Sequence, residues 1–122
     1  MFLLPAMMTL AGCKSGVTNF SGDNSFQFLE KQCFFGPRTP GSEGYKSCRN
    51  YLIETLGDFA DTVLTQSFQV IVDKDSFDLV NIIARFQQES NHHILLGAHW
   101  DTRPWADKDL NPELRQDPIL GA

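Results

Sequence analysis

Apolar residues recur along this chain first with a helical period, then with a two-residue period, and finally as an unbroken run. Phe26, Leu29 and Cys33 are three and four positions apart, the spacing that places side chains on one helix face. Asp23-Asn24-Ser25 offers capping side chains just before them, so the pattern predicts a helix over 24–34. Gly36-Pro37-Arg38-Thr39-Pro40-Gly41 then bars helix continuation with two prolines and two glycines, and reads as a rigid turn. Ser42 and Glu43 start a second helix in which Tyr45, Cys48, Leu52 and Leu56 form one apolar face, with Gly57 as its C′ residue. Phe68, Val70 and Val72 alternate with polar neighbours and predict a half-exposed strand over 63–72. Asp73-Lys74-Asp75-Ser76 is a turn, and Leu79 to Phe86 is a second strand. Gln88 to Asn91 turns the chain again. Ile94-Leu95-Leu96-Gly97-Ala98, apolar at every position, predicts a third strand buried on both faces. Two helices, a hairpin and an inner strand are the opening of an α/β sandwich.

Composition narrows the partners. The 122 residues carry a net charge of −5 with both signs interspersed. A nucleic-acid-binding surface would be basic and clustered, so no nucleic-acid partner is expected. A hydrophobic fraction of 42%, with 10 Phe, is enough for a packed core. Asp117-Pro118-Ile119-Leu120-Gly121-Ala122 opens an apolar segment, and no helix follows the last predicted strand to cover the sheet. The chain therefore reads as the N-terminal portion of a longer protein.

The first residues read as a targeting segment. Met1 to Leu10 is an apolar run too short to span a bilayer as a helix. It leads into Leu10-Ala11-Gly12-Cys13, which resembles the processing box of bacterial lipoproteins, where the Cys becomes the lipidated first residue. The expected organisation is a lipoprotein-type signal peptide at 1–12, a flexible tether at 13–23 and a domain portion at 24–122. Lys14 to Asp23 is small and polar, as a tether should be. This places the protein in the bacterial cell envelope, on the periplasmic face or outer membrane, held to the membrane through lipid on Cys13. Cys33 and Cys48 remain, an even pair in an exported chain. They either form a disulfide closing a loop of about 15 residues, worth roughly 3 kcal/mol, or pack as two small apolar thiols.

Chemistry concentrates after the third strand, in His99-Trp100-Asp101-Thr102-Arg103-Pro104. Residues i and i+2 share a face, so a strand ending in His99-x-Asp101 aims imidazole and carboxylate the same way. Ligand crevices of open α/β sheets lie at such strand ends. His99 is a candidate zinc ligand, and Asp101 a candidate partner that orients it. Two donors do not close a zinc site, which needs at least three protein ligands. Trp100 and Trp105 either line an apolar substrate pocket with Arg103 or pack over the sheet edge. Arg103 either pairs with Asp107 or braces the loop. His92 and His93 fall in a turn and read as surface residues. Asp107 to Asp117 reads as a long surface loop beside the site.

Three stretches in order, Phe35-Gly36-Pro37-Arg38-Thr39-Pro40-Gly41-Ser42, Asn81-Ile82-Ile83-Ala84 and Leu95 to Pro104, resemble the N-terminal third of the M28 metallopeptidase superfamily. Within it they are most similar to the bacterial glutaminyl-peptide cyclotransferases, or glutaminyl cyclases. The resemblance runs from about Phe26 to Ala122. It implies the N-terminal part of a zinc-aminopeptidase-like (phosphorylase/hydrolase-like) α/β sandwich, with a mixed sheet flanked by helices. It also implies zinc as cofactor and peptides or proteins with N-terminal Gln as substrates. In such cyclases one zinc polarises the γ-amide carbonyl, the substrate's α-amine attacks, and a Glu passes the proton to the leaving ammonia as pyroglutamate forms. Intramolecular attack lets near-attack geometry carry much of the rate. Aminopeptidase relatives use two zincs and an activated water, and there the residue matching His99 binds the second zinc, whereas the cyclase resemblance implies that His99 is a site-edge residue and not a zinc ligand. Asp101 is the candidate catalytic residue under either activity, orienting its neighbours. Trp100 to Asp107 and the long loop before Pro118 resemble the cyclases more. The family's Asp-Gly-Ala-Ser-Gly-type motif, with its zinc-binding Asp, would follow Ala122. The proton-shuttling Glu, the acidic ligand after it and the C-terminal His ligand lie further on. The remaining reading is a non-catalytic lipoprotein fragment.

Overall fold

The computed structural model of the protein describes residues 19–121. Residues 1–12, expected to be a signal peptide, the lipidation candidate Cys13 and the first part of the expected tether lie outside the described residues. Four main elements follow in order: helix α1 (Gly22–Phe34), helix α2 (Glu43–Gly57), strand β1 (Thr62–Val72) and strand β2 (Asp75–Arg85).

Helix α1 starts two residues earlier than the periodicity indicates. Its N-cap is Ser21, whose Oγ accepts from the backbone N–H of Asn24 at 3.2 Å, so Asp23 to Ser25 already lie inside the first turn. Asp23 there sits against the positive end of the helix dipole. The turn that follows needs glycine at two places: Gly36 and Gly41 adopt φ of 78° and 87°, where a side chain would be strained.

Helix α2 begins as its sequence indicates. Ser42 Oγ accepts from Tyr45 N–H at 3.0 Å and donates to the Pro37 carbonyl at 3.1 Å. One hydroxyl thus caps the helix, an arrangement worth about 1 kcal/mol, and ties it to the turn. Gly44 lets the backbone close in: a Cβ there would stand 2.4 Å from the Pro37 carbonyl oxygen and 2.7 Å from that of Phe35. The helix's end differs from expectation. Gly57 is the last helical residue, and Asp58 caps in the right-handed region, so no left-handed C′ glycine is used.

β1 and β2 form a two-stranded antiparallel sheet from Thr62↔Arg85 to Val72↔Asp75. The connection is Asp73-Lys74 alone, with Asp73 at a φ of 57° that Asp tolerates. A two-residue loop is shorter than the four-residue turn the composition indicates, because Asp75 and Ser76 pair in the ladder. Helix α2 packs on this hairpin. Among the described residues the buried side chains are few: Tyr45, Cys48, Arg38 and Thr102.

The largest departure concerns Ile94 to Ala98. The segment is not assigned to a strand, and Ile94, Leu95 and Leu96 are 89%, 94% and 88% exposed. A strand apolar on both faces becomes an inner strand only when neighbours pair with both its edges and helices cover both its faces. Among the described residues it has neither. The mixed sheet is therefore represented here by its β1–β2 hairpin, within an α/β fragment. No helix among the described residues is long and apolar enough to cross a membrane.

Candidate functional site

The residues singled out after Ala98 lie in a loop held against β2, α2 and the Gly36–Gly41 turn. Trp100 makes the contact with the hairpin. Its ring lies 4.3 Å from that of Tyr45, centroid to centroid, at 31°, and its indole N–H donates to the Val80 carbonyl at 3.3 Å. Tyr45 Oη accepts from Val80 N–H at 3.0 Å. Both backbone polar groups of Val80 thus meet side chains, which satisfies this point of β2 without a further strand. Burial pushes the Tyr45 phenol up from its ordinary value, and the negative charge of Asp101 adds to this, outweighing the Val80 hydrogen bond, so Tyr45 stays neutral.

Thr102 makes the contact with the turn. Its N–H donates to the Arg38 carbonyl at 3.2 Å, and its Oγ1 accepts from Arg38 N–H at 2.8 Å. With Trp100 and Thr102 held on either side, Asp101 is fixed between them. His99 stands beside it: His99 Nδ1 is 3.0 Å from the Asp101 carbonyl oxygen and 3.6 Å from Oδ1. The His99 side chain is 86% exposed, so this edge opens to solvent.

Arg103 pairs with Asp107 four residues on, leaving both partly exposed. Trp105 is 50% exposed and forms no ring pair with Trp100. The pocket of Trp100, Trp105 and Arg103 is not assembled among the described residues, because Trp100 is turned onto Tyr45 and Arg103 onto Asp107. Two grooves are present elsewhere. One lies between α2 and the hairpin at Tyr45, Arg49 and Asp78, and the other between Ile83–Gln88 and His92–Leu95. The loop from Ala106 to Asp117 closes on itself through Ala106 N–H to Asp117 O at 2.9 Å and a 3₁₀ turn at Pro112–Leu114 capped by Asn111.

Cys33 and Cys48 are both free thiols in the structure, Cys33 half-buried and Cys48 buried. Cys48 is fully buried, and burial pushes its thiol up, against a smaller opposing pull from Arg38. Cys33 Sγ is engaged with the Gly121 carbonyl oxygen at 3.0 Å.

Residue-by-residue reading missed Arg38. It is 3% exposed, and its guanidinium donates to four backbone carbonyls: Trp100 at 2.7 Å, Gln32 at 3.1 Å, Leu120 at 2.6 Å and Gly121 at 3.2 Å. Its only sequence signal was a place in the Gly36–Ser42 motif.

For metal binding, His99 and Asp101 supply two donors. Among the described residues no group of three or more His, Cys, Asp or Glu side chains is placed to hold an ion. A zinc site needs at least one more protein ligand, so these residues do not complete one.

No protein-family model matches the sequence, and no curated protein matches it significantly. Solved structures do match. The glutaminyl cyclase of Porphyromonas gingivalis is 37% identical over 84% of this chain, with a TM-score of 0.77. The Bacteroides thetaiotaomicron glutaminyl cyclase bound to N-acetylhistamine is 38% identical over 84%, with a TM-score of 0.79. A Zn-dependent exopeptidase from Parabacteroides distasonis is 34% identical over 86%, with a TM-score of 0.79. The chain spans 36% of the length of each of these three. At this level of identity and fold similarity, the chain matches bacterial glutaminyl cyclases and zinc-dependent exopeptidases over about a third of their length.

Proposed function

We propose that the full-length protein carrying these residues is a zinc-dependent glutaminyl-peptide cyclotransferase, converting N-terminal glutamine of peptides or proteins to pyroglutamate with release of ammonia. The observation that carries this reading is the 37% identity to a glutaminyl cyclase across 84% of the chain. In this reading His99 and Asp101 contribute an edge of the site, and the zinc is held by residues outside those described. The described residues act by shape: Arg38, Tyr45 and Val80 hold the Trp100–Thr102 loop, and that loop presents His99 and Asp101. A zinc exopeptidase is the second reading, supported by the comparable likeness to the Parabacteroides distasonis protein.

Metal count separates the two. The full-length protein, purified and exhaustively dialysed, is expected to hold close to one zinc per chain by atomic emission. A value near two favours the exopeptidase and contradicts the cyclase.

Lipid anchoring in the bacterial envelope is part of the same proposal and rests on Leu10-Ala11-Gly12-Cys13. Cys13→Ser is expected to move the protein from the membrane fraction to the soluble fraction on cell fractionation. Unchanged membrane retention of that variant would rule the anchor out.

A further inference from the structure

The buried arginine carries an inference of its own. A guanidinium is always charged and presents five donors in a planar fork. Removing such a charge from water is costly unless its donors are satisfied. Arg38 is 3% exposed, yet among the described residues no carboxylate pairs with it. Its compensation comes wholly from carbonyls, and these belong to three separate segments. Gln32 lies in the last turn of α1, where carbonyls carry the negative end of the helix dipole and favour a cation. Trp100 belongs to the site loop. Leu120 and Gly121 belong to the segment that runs back past that loop.

The fork therefore fixes three segments relative to one another. At the site loop the grip is double, because Arg38 Nε holds the Trp100 carbonyl while the Arg38 backbone holds Thr102 from both its N–H and its hydroxyl. Residue 101 sits between two held neighbours. At the other segment the fit is close. Gly121 adopts a φ of 58°, and a Cβ on it would stand 2.5 Å from Thr102 Cγ2. Cys33 Sγ closes the same carbonyl at 3.0 Å.

We propose that Arg38 is a positioning residue for the site: its guanidinium locks the Trp100–Thr102 loop to the Leu120–Gly121 backbone and so sets the orientation of Asp101 and His99. Arg38 does not touch substrate. Lysine cannot replace it, because a single ammonium cannot reach carbonyls on three segments in one plane. The proposal rests on the site assignment above, and its test separates the two.

The test uses full-length protein, with Arg38→Lys and Thr102→Val compared with the parent. Thr102→Val removes only the acceptor of Arg38 N–H and keeps the side-chain shape. Two quantities are read per folded molecule: kcat and KM for a Gln-peptide, and hydrogen exchange over residues 99–104. Arg38→Lys is expected to lower kcat by about 10- to 100-fold with KM little changed, as for groups that orient functional side chains, and to speed exchange at Thr102. Thr102→Val is expected to lower kcat by about threefold, the scale of one net hydrogen bond, with faster exchange. Unchanged kcat per folded molecule in both variants overturns the proposal, even if thermal stability falls, since stability alone would mark a purely structural residue. If Arg38→Lys does not fold, the Thr102→Val result decides by the same criteria. If the parent turns over no Gln-peptide, the cyclase reading fails on its own, and unaltered exchange over 99–104 in the folded variants would then overturn the Arg38 proposal independently.

Discussion

Tyr45→Ala is expected to destabilise the full-length protein by roughly 3 to 5 kcal/mol, the usual cost of truncating a buried aromatic side chain. Tyr45 is 4% exposed and stands where three segments meet. Its ring packs on Trp100, its hydroxyl accepts from Val80 N–H, and its backbone N–H donates to the capping Ser42 Oγ. Truncation opens a cavity between α2 and the hairpin and removes the ring against which Trp100 is placed. The aromatic pair alone is worth about 0.5–1.5 kcal/mol beyond burial. Tyr45→Phe keeps the ring and loses only the acceptor for Val80, so its cost is expected to be about 1 kcal/mol. Denaturant titration of both variants checks this. A cost below about 1 kcal/mol for Tyr45→Ala would mean that α2 and the site loop are held together by something other than this contact.

The consequence extends to the site. Trp100 was open to two readings in the sequence, a pocket wall or a packing residue over the sheet edge. The structure uses it for packing, with its indole N–H on β2. Trp100 therefore acts on the site by anchoring the loop that carries Asp101.

What was legible in the sequence follows from range. Helix α2 could be read because its start and its face are local: Ser42 supplies the cap, and Tyr45 and Cys48, three apart, are its buried residues. The hairpin could be read because alternation and turn residues are local too. The start of α1 was misplaced because Ser21, Asp23, Asn24 and Ser25 are all capable caps, and spacing does not choose among them. Ile94 to Ala98 departs from the strand its apolar run predicts for a different reason. An apolar run reports that a segment wants cover on both faces, but not which strands supply it. Arg38 was the hardest, since its partners at the site loop and beyond lie 62 to 83 positions away in sequence. A polar residue in a proline-rich turn looks solvent-exposed until those carbonyls are brought to it. His99 and Asp101 lie near each other, with His99 Nδ1 3.6 Å from Asp101 Oδ1, but in a loop and not at the end of the strand that the i, i+2 argument assumes. The family was legible from the order of three motifs, none of which is specific alone.

The most direct measurement is product analysis of a synthetic peptide with N-terminal glutamine, incubated with the full-length protein and, as a control, with the 122-residue chain. The account predicts that full-length protein converts the peptide to its pyroglutamyl form with one equivalent of ammonia released and no free amino acid. The 122-residue chain is expected to convert none, because His99 and Asp101 are short of the three ligands a zinc site needs. Release of free N-terminal residues without cyclisation by the full-length protein, or cyclisation by the 122-residue chain alone, would contradict it.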